Sequence, residues 1–496
     1  MNFKHYLYAV AMLATLEMST TACDDDEETA PIENEDDETK GDATEGATFT
    51  VSGNVSGTWA AGSVVGVTGH IIVPEDSSLT IEEGVTIIFT TDGVGTNRVP
   101  VEFEVKGNLY CQGTAEKPIL MTIPEEERTT ANIHNAEHQW GGIVAYESCE
   151  EMLIDHVVIE YTGGEVIQGS PAASAGYYEA GDDIYPQITT NNPNGRYVIT
   201  NSVIRYGQSD GIYMMGGRGI IANNIFAGNG YDGEEAVNVK SGCHVDVAYN
   251  TMYSPNTNGL KLSSGGQGGS RYQAEVTAYN NTIINAGWRR DGEKGGSIYV
   301  EENVLANVFN NMMVNCKYRA QVPSWDDPNN TDGGFAYQST IDYNCYVSAT
   351  TETDLYIAEW EDDGEIVEGQ GIHFAWQGYT YDHEDYHMAP SEAQMELEDG
   401  TKVTVTVPAV DSHSLIADGT EFYNPQFRNY DLDGNKTSNV IYNDNWDFTP
   451  TVNLQGAYSG NASFAQPHFA ANGLSVGGKT YNSPAVGAWF GRYAAN

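Results

Sequence analysis

Five short stretches of this 496-residue chain hold the residues best suited to chemistry. They read DGIYMM (210–215), EAVNVK (235–240), NGLKLS (258–263), GSIYVE (296–301) and YRAQVP (318–323). In each, the third and fifth residues are apolar: Ile212/Met214, Val237/Val239, Leu260/Leu262, Ile298/Val300 and Ala320/Val322. That alternation predicts strands with one face in a core and the fourth residue on the other face. The outward row is then Tyr213, Asn238, Lys261, Tyr299 and Gln321, with neighbours about 4.8 Å apart. Arg319, Lys240 and Glu301 join it from second and sixth positions. The chain has only 22 Lys and Arg, and three of them converge here. A lysine whose charged form is disfavoured by a neighbouring cation can act as a general base. Tyrosines beside amides also suit sugar stacking with no chemistry at all.

Three further constellations carry weaker signals. Asp210 and Glu235 stand at turn positions of adjacent repeats, a carboxylate pair of the sort that hydrolyses glycosides. Asp210 and Glu301 are oxygen ligands that Ca²⁺ would accept, but they open and close strands that are not neighbours. HEDYH (His383–His387) matches HExxH, in which one helical face offers two imidazoles to zinc and the glutamate is the base. His383, Glu384 and His387 lie between Gly378 and Pro390 with no apolar periodicity and no third ligand downstream, so a surface loop is the expectation. In YDLDGN, Asp431, Asp433 and Asn435 alternate as in calcium loops, with glycine at the fourth position rather than the sixth. A structural turn is expected there, and Ca²⁺ is the one ion the sequence suggests.

The elements that position these residues repeat. VITNSVI, IIANNIF, DVAYNTMY, TAYNNTII, VFNNMMV and TIDYNCYV place an asparagine at Asn201, Asn223, Asn250, Asn280, Asn310 and Asn344, in steps of 22, 27, 30, 30 and 34. Asparagine tolerates left-handed backbone, and its amide can bond to the next asparagine coil after coil. A constant floor with insertions above it fits a parallel β-helix, whose coils bury their apolar faces only against neighbours. The expected fold is all-β, a right-handed single-stranded parallel β-helix.

The N-terminal half continues the theme in HIIVPEDSSLTIEEGVTIIF (70–89) and VEFEVKGNLYCQGTAEKPILMT (101–122). With WGGI (140–143), LIDHVVIEYTGG (153–164) and SPAVGAWFG (483–491), these stretches resemble right-handed, pectate-lyase-like β-helix surface proteins of Bacteroidetes. The resemblance implies β-helix over 49–349, an insertion or large loop over 350–410, and closing coils with a cap over 411–496. It is specific for fold and poor for activity. Polysaccharide lyases of this fold use a Lys or Arg on such a face as the base that takes the proton alpha to a uronate. That resemblance would make Lys261 the base and Arg319 or Lys240 the neutralising cation.

The first residues give an address. Lys4, the apolar run Tyr6–Leu16, the small residues Thr20–Ala22 and then Cys23 follow the grammar of a secretory signal. They resemble a bacterial lipobox, which implies a signal peptide over 1–22 and acyl chains such as palmitate on Cys23. Asp24–Glu28 and Glu33–Glu38 are almost wholly acidic, which predicts a solvated tether over 23–48. An acidic run after the lipidated cysteine resembles a surface-export signal, so the expected location is the outer membrane, facing outward.

The 22 basic residues stand against 70 acidic ones, a formal charge of −48. That opposes nucleic acid and anionic membrane surfaces as partners and leaves the lipid as the only membrane contact. Five cysteines remain beyond Cys23, at irregular spacing, and read as small apolar residues rather than a disulfide framework. The expected function is capture of an extracellular polysaccharide or peptide through the exposed face. Ligand-binding residues would be Tyr213, Asn238, Lys240, Tyr299, Glu301 and Gln321, and an outer-membrane nutrient transporter would be the partner. Lysis of an acidic glycan, its hydrolysis, and a structural adhesin are the alternatives.

Overall fold

A computed structural model describes residues 41–231, 233–290, 295–320, 322, 327–329, 336–347, 356–357, 360–362, 365–367, 370–371, 389–416, 424–432, 434–435, 439–452 and 459–495. Cys23, Gln321, His383, Glu384, His387 and Asp433 lie outside the described residues.

Two parallel ladders dominate. One has ten strands, from Gly57–Trp59 to Thr340–Asp342. The other has 19 strands and forms two faces. Its long strand Val64–Val73 pairs through Val64–Val67 with Thr86–Phe89 and through Ile71–Val73 with Phe103–Val105. A single coil shows the plan: Arg196–Thr200 lies on the first face, Val203–Arg205 on the second and Ile212–Met214 on the third. Gly217–Ala222 then returns to the first face, and each strand pairs in parallel with its counterpart one coil on. The chain is an all-β, right-handed parallel β-helix, the hand that parallel crossovers take.

Alternation decides the core. Val245, Val247, Leu260, Leu262, Ile298 and Val300 all point inward and are fully buried. Phe89 and Trp140 stack in the core with centroids 3.8 Å apart. Trp140 also explains the WGGI phrase. Its indole N–H donates to Glu160 O at 3.0 Å, and a Cβ on Gly142 would stand 2.1 Å from Pro186 O, so successive coils touch there only because the residue is glycine. The cysteines at 111, 149, 243, 316 and 345 are free and buried, as the composition suggested.

The turn between the first and second faces divides its labour between two adjacent residues. Asn201, Asn223, Tyr249, Asn280, Asn310 and Tyr343 take left-handed backbone, with φ between 52° and 61°. The residue after each is buried and carries the ladder: Ser202, Asn224, Asn250, Asn281, Asn311 and Asn344. Each backbone N–H in this series donates to the side-chain oxygen of the next, at 3.0–3.1 Å from Ser202 to Asn344. The sequence expectation merged these two roles into one asparagine. The backbone bend turns the first side chain out of the core and the second one in.

The coils end at Leu415–Ile416, which pairs with Cys345–Tyr346. Between them the described parts of 350–410 form antiparallel pairs of their own, such as Ser391–Glu396 with Lys402–Val407. Of the closing coils expected over 411–496, Leu415–Ile416 supplies one strand, and residues 424–495 add no further coil among the described residues. They fold back along the outside. Phe427, Tyr430, Tyr442 and Phe448 cover Tyr253 and Ile284 on the second face, and Phe469, Leu474 and Val476 cover Val198 and Ile220 on the first. SPAVGAWFG runs along the turn, where Gly487 N–H donates to Asn280 Oδ1 at 3.0 Å. The outward residues Val198, Ile220, Tyr253 and Ile284 are apolar, so a covering segment removes them from water without strand pairing. The tether also ends sooner than expected: Ala43 is buried and Gly41 N–H donates to Glu127 Oε1. Among the described residues no helix is long and apolar enough to cross a membrane.

Candidate functional site

The third face carries the expected row. Tyr213 pairs with Asn238, Asn238 with Lys261, and Lys261 with Tyr299, all at outward positions. Towards the N-terminus the row continues through Thr189 and Val144. There a loop over 163–186 closes over the face, packing Val166, Ala172, Tyr178 and Tyr185 on Val144. Buried Glu102 ties this loop down by accepting from Ser170 Oγ at 2.7 Å, from Tyr185 Oη, and from Ala172 N–H at 3.0 Å. Burial pushes the Glu102 carboxyl up to about 7.

Where the loop stops, a cleft of about 530 Å³ opens, lined on one wall by Tyr177, Tyr178, Asp182 and Asp183 from that loop. Its floor is Tyr213, Asn238 and Lys261, and Asp210, Glu235, Lys240 and Arg290 complete it. None of the wall residues belongs to a coil strand, so the strand pattern missed them. Their signal is GYYEAGDDIYP (176–186), tyrosines and acids inside a connection longer than a tight turn needs.

The carboxylate pair is assembled by one amide. Asn238 Nδ2 donates to Asp210 Oδ2 at 3.2 Å and to Glu235 Oε2 at 3.3 Å. Asp210 Oδ1 also accepts the Glu235 N–H at 2.7 Å, and Asn258 Nδ2 holds Glu235 Oε1 at 3.1 Å. Burial, and then the charges of Glu235 and Glu234, raise Asp210 well above the usual carboxylate range. Burial and the Asp210 charge push Tyr213 up to about 12.

The two lysines differ in their electrostatic surroundings. Lys261 forms an ion pair with Glu301 at 3.0 Å. Burial would lower its pKa, but Glu235 and Glu301 outweigh burial and hold it above the usual lysine value. Lys240 is the lysine whose pKa is lowered, by burial and then by the charge of Lys261. A proton-abstracting lysine on this face would be Lys240, with Lys261 as its neighbouring cation. Arg319 does not line the cleft. Its charge bears on Asp411 and Tyr346 instead, where burial pushes Asp411 up to about 6. Tyr299 lies beyond the cleft, with its ring 5.8 Å from Lys261 Nζ. Asp210 lines the cleft and Glu301 does not, so the two do not converge on one ion.

At the YDLDGN turn, Asn435 Nδ2 donates back to Asp431 O at 2.6 Å and Asn435 O accepts from Asn285. Those bonds serve a structural turn that docks on the coils.

Two family models match the chain. A pectate-lyase-like β-helix domain model matches residues 51–150, and a right-handed β-helix region model matches 187–348. Searches of curated proteins and of solved structures find no match. The family likeness agrees with the ladders described above and is compatible with work on glycans. It names no substrate and no reaction.

Proposed function

We propose that the cleft over Tyr213, Asn238 and Lys261 binds an extracellular glycan. The observation that carries this reading is the mixture on its walls. Three tyrosines stand beside an asparagine-bridged carboxyl pair and two lysines of opposite pKa tendency. Sugars need flat apolar surface together with both donors and acceptors. Acyl chains on Cys23 would anchor the protein to the outer membrane and the acidic segment would hold the β-helix off the surface. An outer-membrane transporter would then receive the captured glycan.

A second reading, cleavage of the bound glycan, is favoured by the raised Asp210 carboxyl beside Glu235. One carboxyl kept protonated next to another is the acid–base division used in glycoside hydrolysis.

The test uses the full chain with neutral and acidic polysaccharides immobilised in affinity gels, with and without calcium. Retention that is lost in Tyr213→Ala and Lys261→Met supports binding. New reducing ends that vanish in Asp210→Asn support hydrolysis. New ultraviolet absorbance from unsaturated products that vanishes in Lys240→Ala supports elimination. No retention and no product on any polysaccharide would overturn the proposal. Labelled palmitate that enters the wild type but not Cys23→Ala, and protease shaving of intact cells, test the anchor and its orientation.

A further inference from the structure

On the first face, one turn past the cleft residue Lys240, two histidines meet. His244 and Glu275 are register neighbours on adjacent strands, Cys243–Ala248 and Glu275–Tyr279. Their inward neighbours Val245 and Val276 are in the core, so both side chains face outward. The covering C-terminal segment delivers His468 onto the same spot. The His244 and His468 rings lie 4.0 Å apart between centroids, at 81°. One ligand atom from each of His244, Glu275 and His468 falls within 4.8 Å of the others, and all three residues are half-buried. It is the one such grouping of His, Cys, Asp and Glu among the described residues.

The position of His468 is built, not incidental. Asp246, fully buried, accepts the backbone N–H of His468 on Oδ1 and of Phe469 on Oδ2, both at 3.0 Å. Ser483 Oγ adds a third donor to Oδ2. The His468 ring turns Nδ1 to within 2.9 Å of Asp246 Oδ1, off the line of a good hydrogen bond. Nε2 is thereby the nitrogen left to face a ligand. A carboxylate behind a histidine is the support that metal-binding imidazoles commonly have. The nearby cation Arg218, register neighbour of His244, is placed 5.5 Å from the Phe469 ring.

We propose that His244, Glu275 and His468 bind a zinc-class divalent cation that staples the C-terminal segment to the β-helix. Two imidazoles and one carboxylate suit zinc or its borderline neighbours and not Ca²⁺ or Mg²⁺, which prefer all-oxygen sets. A tetrahedral ion with bonds of about 2.1 Å needs ligand atoms about 3.4 Å apart, so the three groups close by small side-chain rotations. The fourth position is left for water. Two of the ligands come from the coils and the third from a segment 193 residues beyond Glu275, so the ion links parts of the chain that share no strand pairing.

The test is zinc binding by the chelator-stripped full chain, read by competition with a chromophoric chelator and by the visible bands of Co²⁺ in place of zinc. One equivalent is expected to bind. Asp246→Asn is expected to weaken it by about 10–100-fold, and His244→Ala and Glu275→Gln by more. Glu275→Gln is nearly isosteric on a rigid strand, so it reports on the metal even if other variants misfold. Zinc is also expected to slow proteolysis of residues 459–495 in the wild type and not in Glu275→Gln. His383→Ala with His387→Ala serves as the control for the HEDYH motif. Absence of stoichiometric binding, binding unchanged in His244→Ala and Glu275→Gln, or binding lost only in the His383/His387 double variant would each overturn the proposal.

Discussion

Glu102→Gln should make the protein more tolerant of alkaline pH. Glu102 is fully buried under the loop that walls the cleft, and burial pushes its carboxyl from 4.5 to about 7. Below the unfolded pKa the group is protonated in both states and costs nothing. As pH rises, the unfolded chain releases the proton first and gains stability, while the native state holds its proton until about 7. Native stability therefore falls across that window and is level above it. At 1.36 kcal/mol for each unit, the loss amounts to about 3 kcal/mol. Glutamine keeps an oxygen for Tyr185 and Ser170 but turns an amide nitrogen toward the Ala172 N–H, a mismatch worth about 1 kcal/mol at every pH. The two stability curves should therefore cross. The variant should be slightly weaker near pH 4.5 and stronger by about 2 kcal/mol near pH 8. Denaturant unfolding of both proteins at a series of pH values measures the difference, and other titrating groups cancel. Curves that stay parallel from pH 4.5 to 8 would refute the argument. Because Glu102 anchors the wall that bears Tyr177 and Tyr178, glycan retention should weaken above pH 7 in the wild type and less so in the variant.

Asn281→Ala should cost about 3–5 kcal/mol. It removes the acceptor of the Asn250 N–H and the donor to Val247 O, and each buried group left unpaired costs about 1–3 kcal/mol. A loss under about 1 kcal/mol in denaturant unfolding would show that water or relaxation replaces the ladder. Trp140→Ala should destabilise by about 3–5 kcal/mol, since it empties a core site stacked on Phe89; the same assay reads it. The five described cysteines should resist a thiol reagent at pH 8 and react once the chain is denatured, because all are buried and burial pushes Cys149, Cys243 and Cys316 up to about 12. Rapid labelling in the native state would contradict the packing of those coils.

The coils were legible in the sequence because the signal is local. Alternation at Ile212/Met214, Val237/Val239 and Leu260/Leu262 fixes which side chains face inward, since a strand turns each successive residue to the opposite side. The row Tyr213–Asn238–Lys261–Tyr299 follows from that alternation once the coils stack. Tertiary structure decided what the row could do. The wall of the cleft is a loop held by Glu102, which just precedes the upstream strand Phe103–Val105, and no spacing in GYYEAGDDIYP announces that contact. Which lysine is held above its usual pKa depends on Glu235 and Glu301 lying near Lys261, placements set by strand register and side-chain direction. Arg319 belongs to the same strand-opening pattern yet acts on Asp411, because its segment stands beyond the cleft. His468 reaches His244 only because apolar outward positions on the first face draw the C-terminal segment across it. Periodicity is written residue by residue, whereas these encounters depend on which exposed apolar surfaces the finished coils leave to be covered.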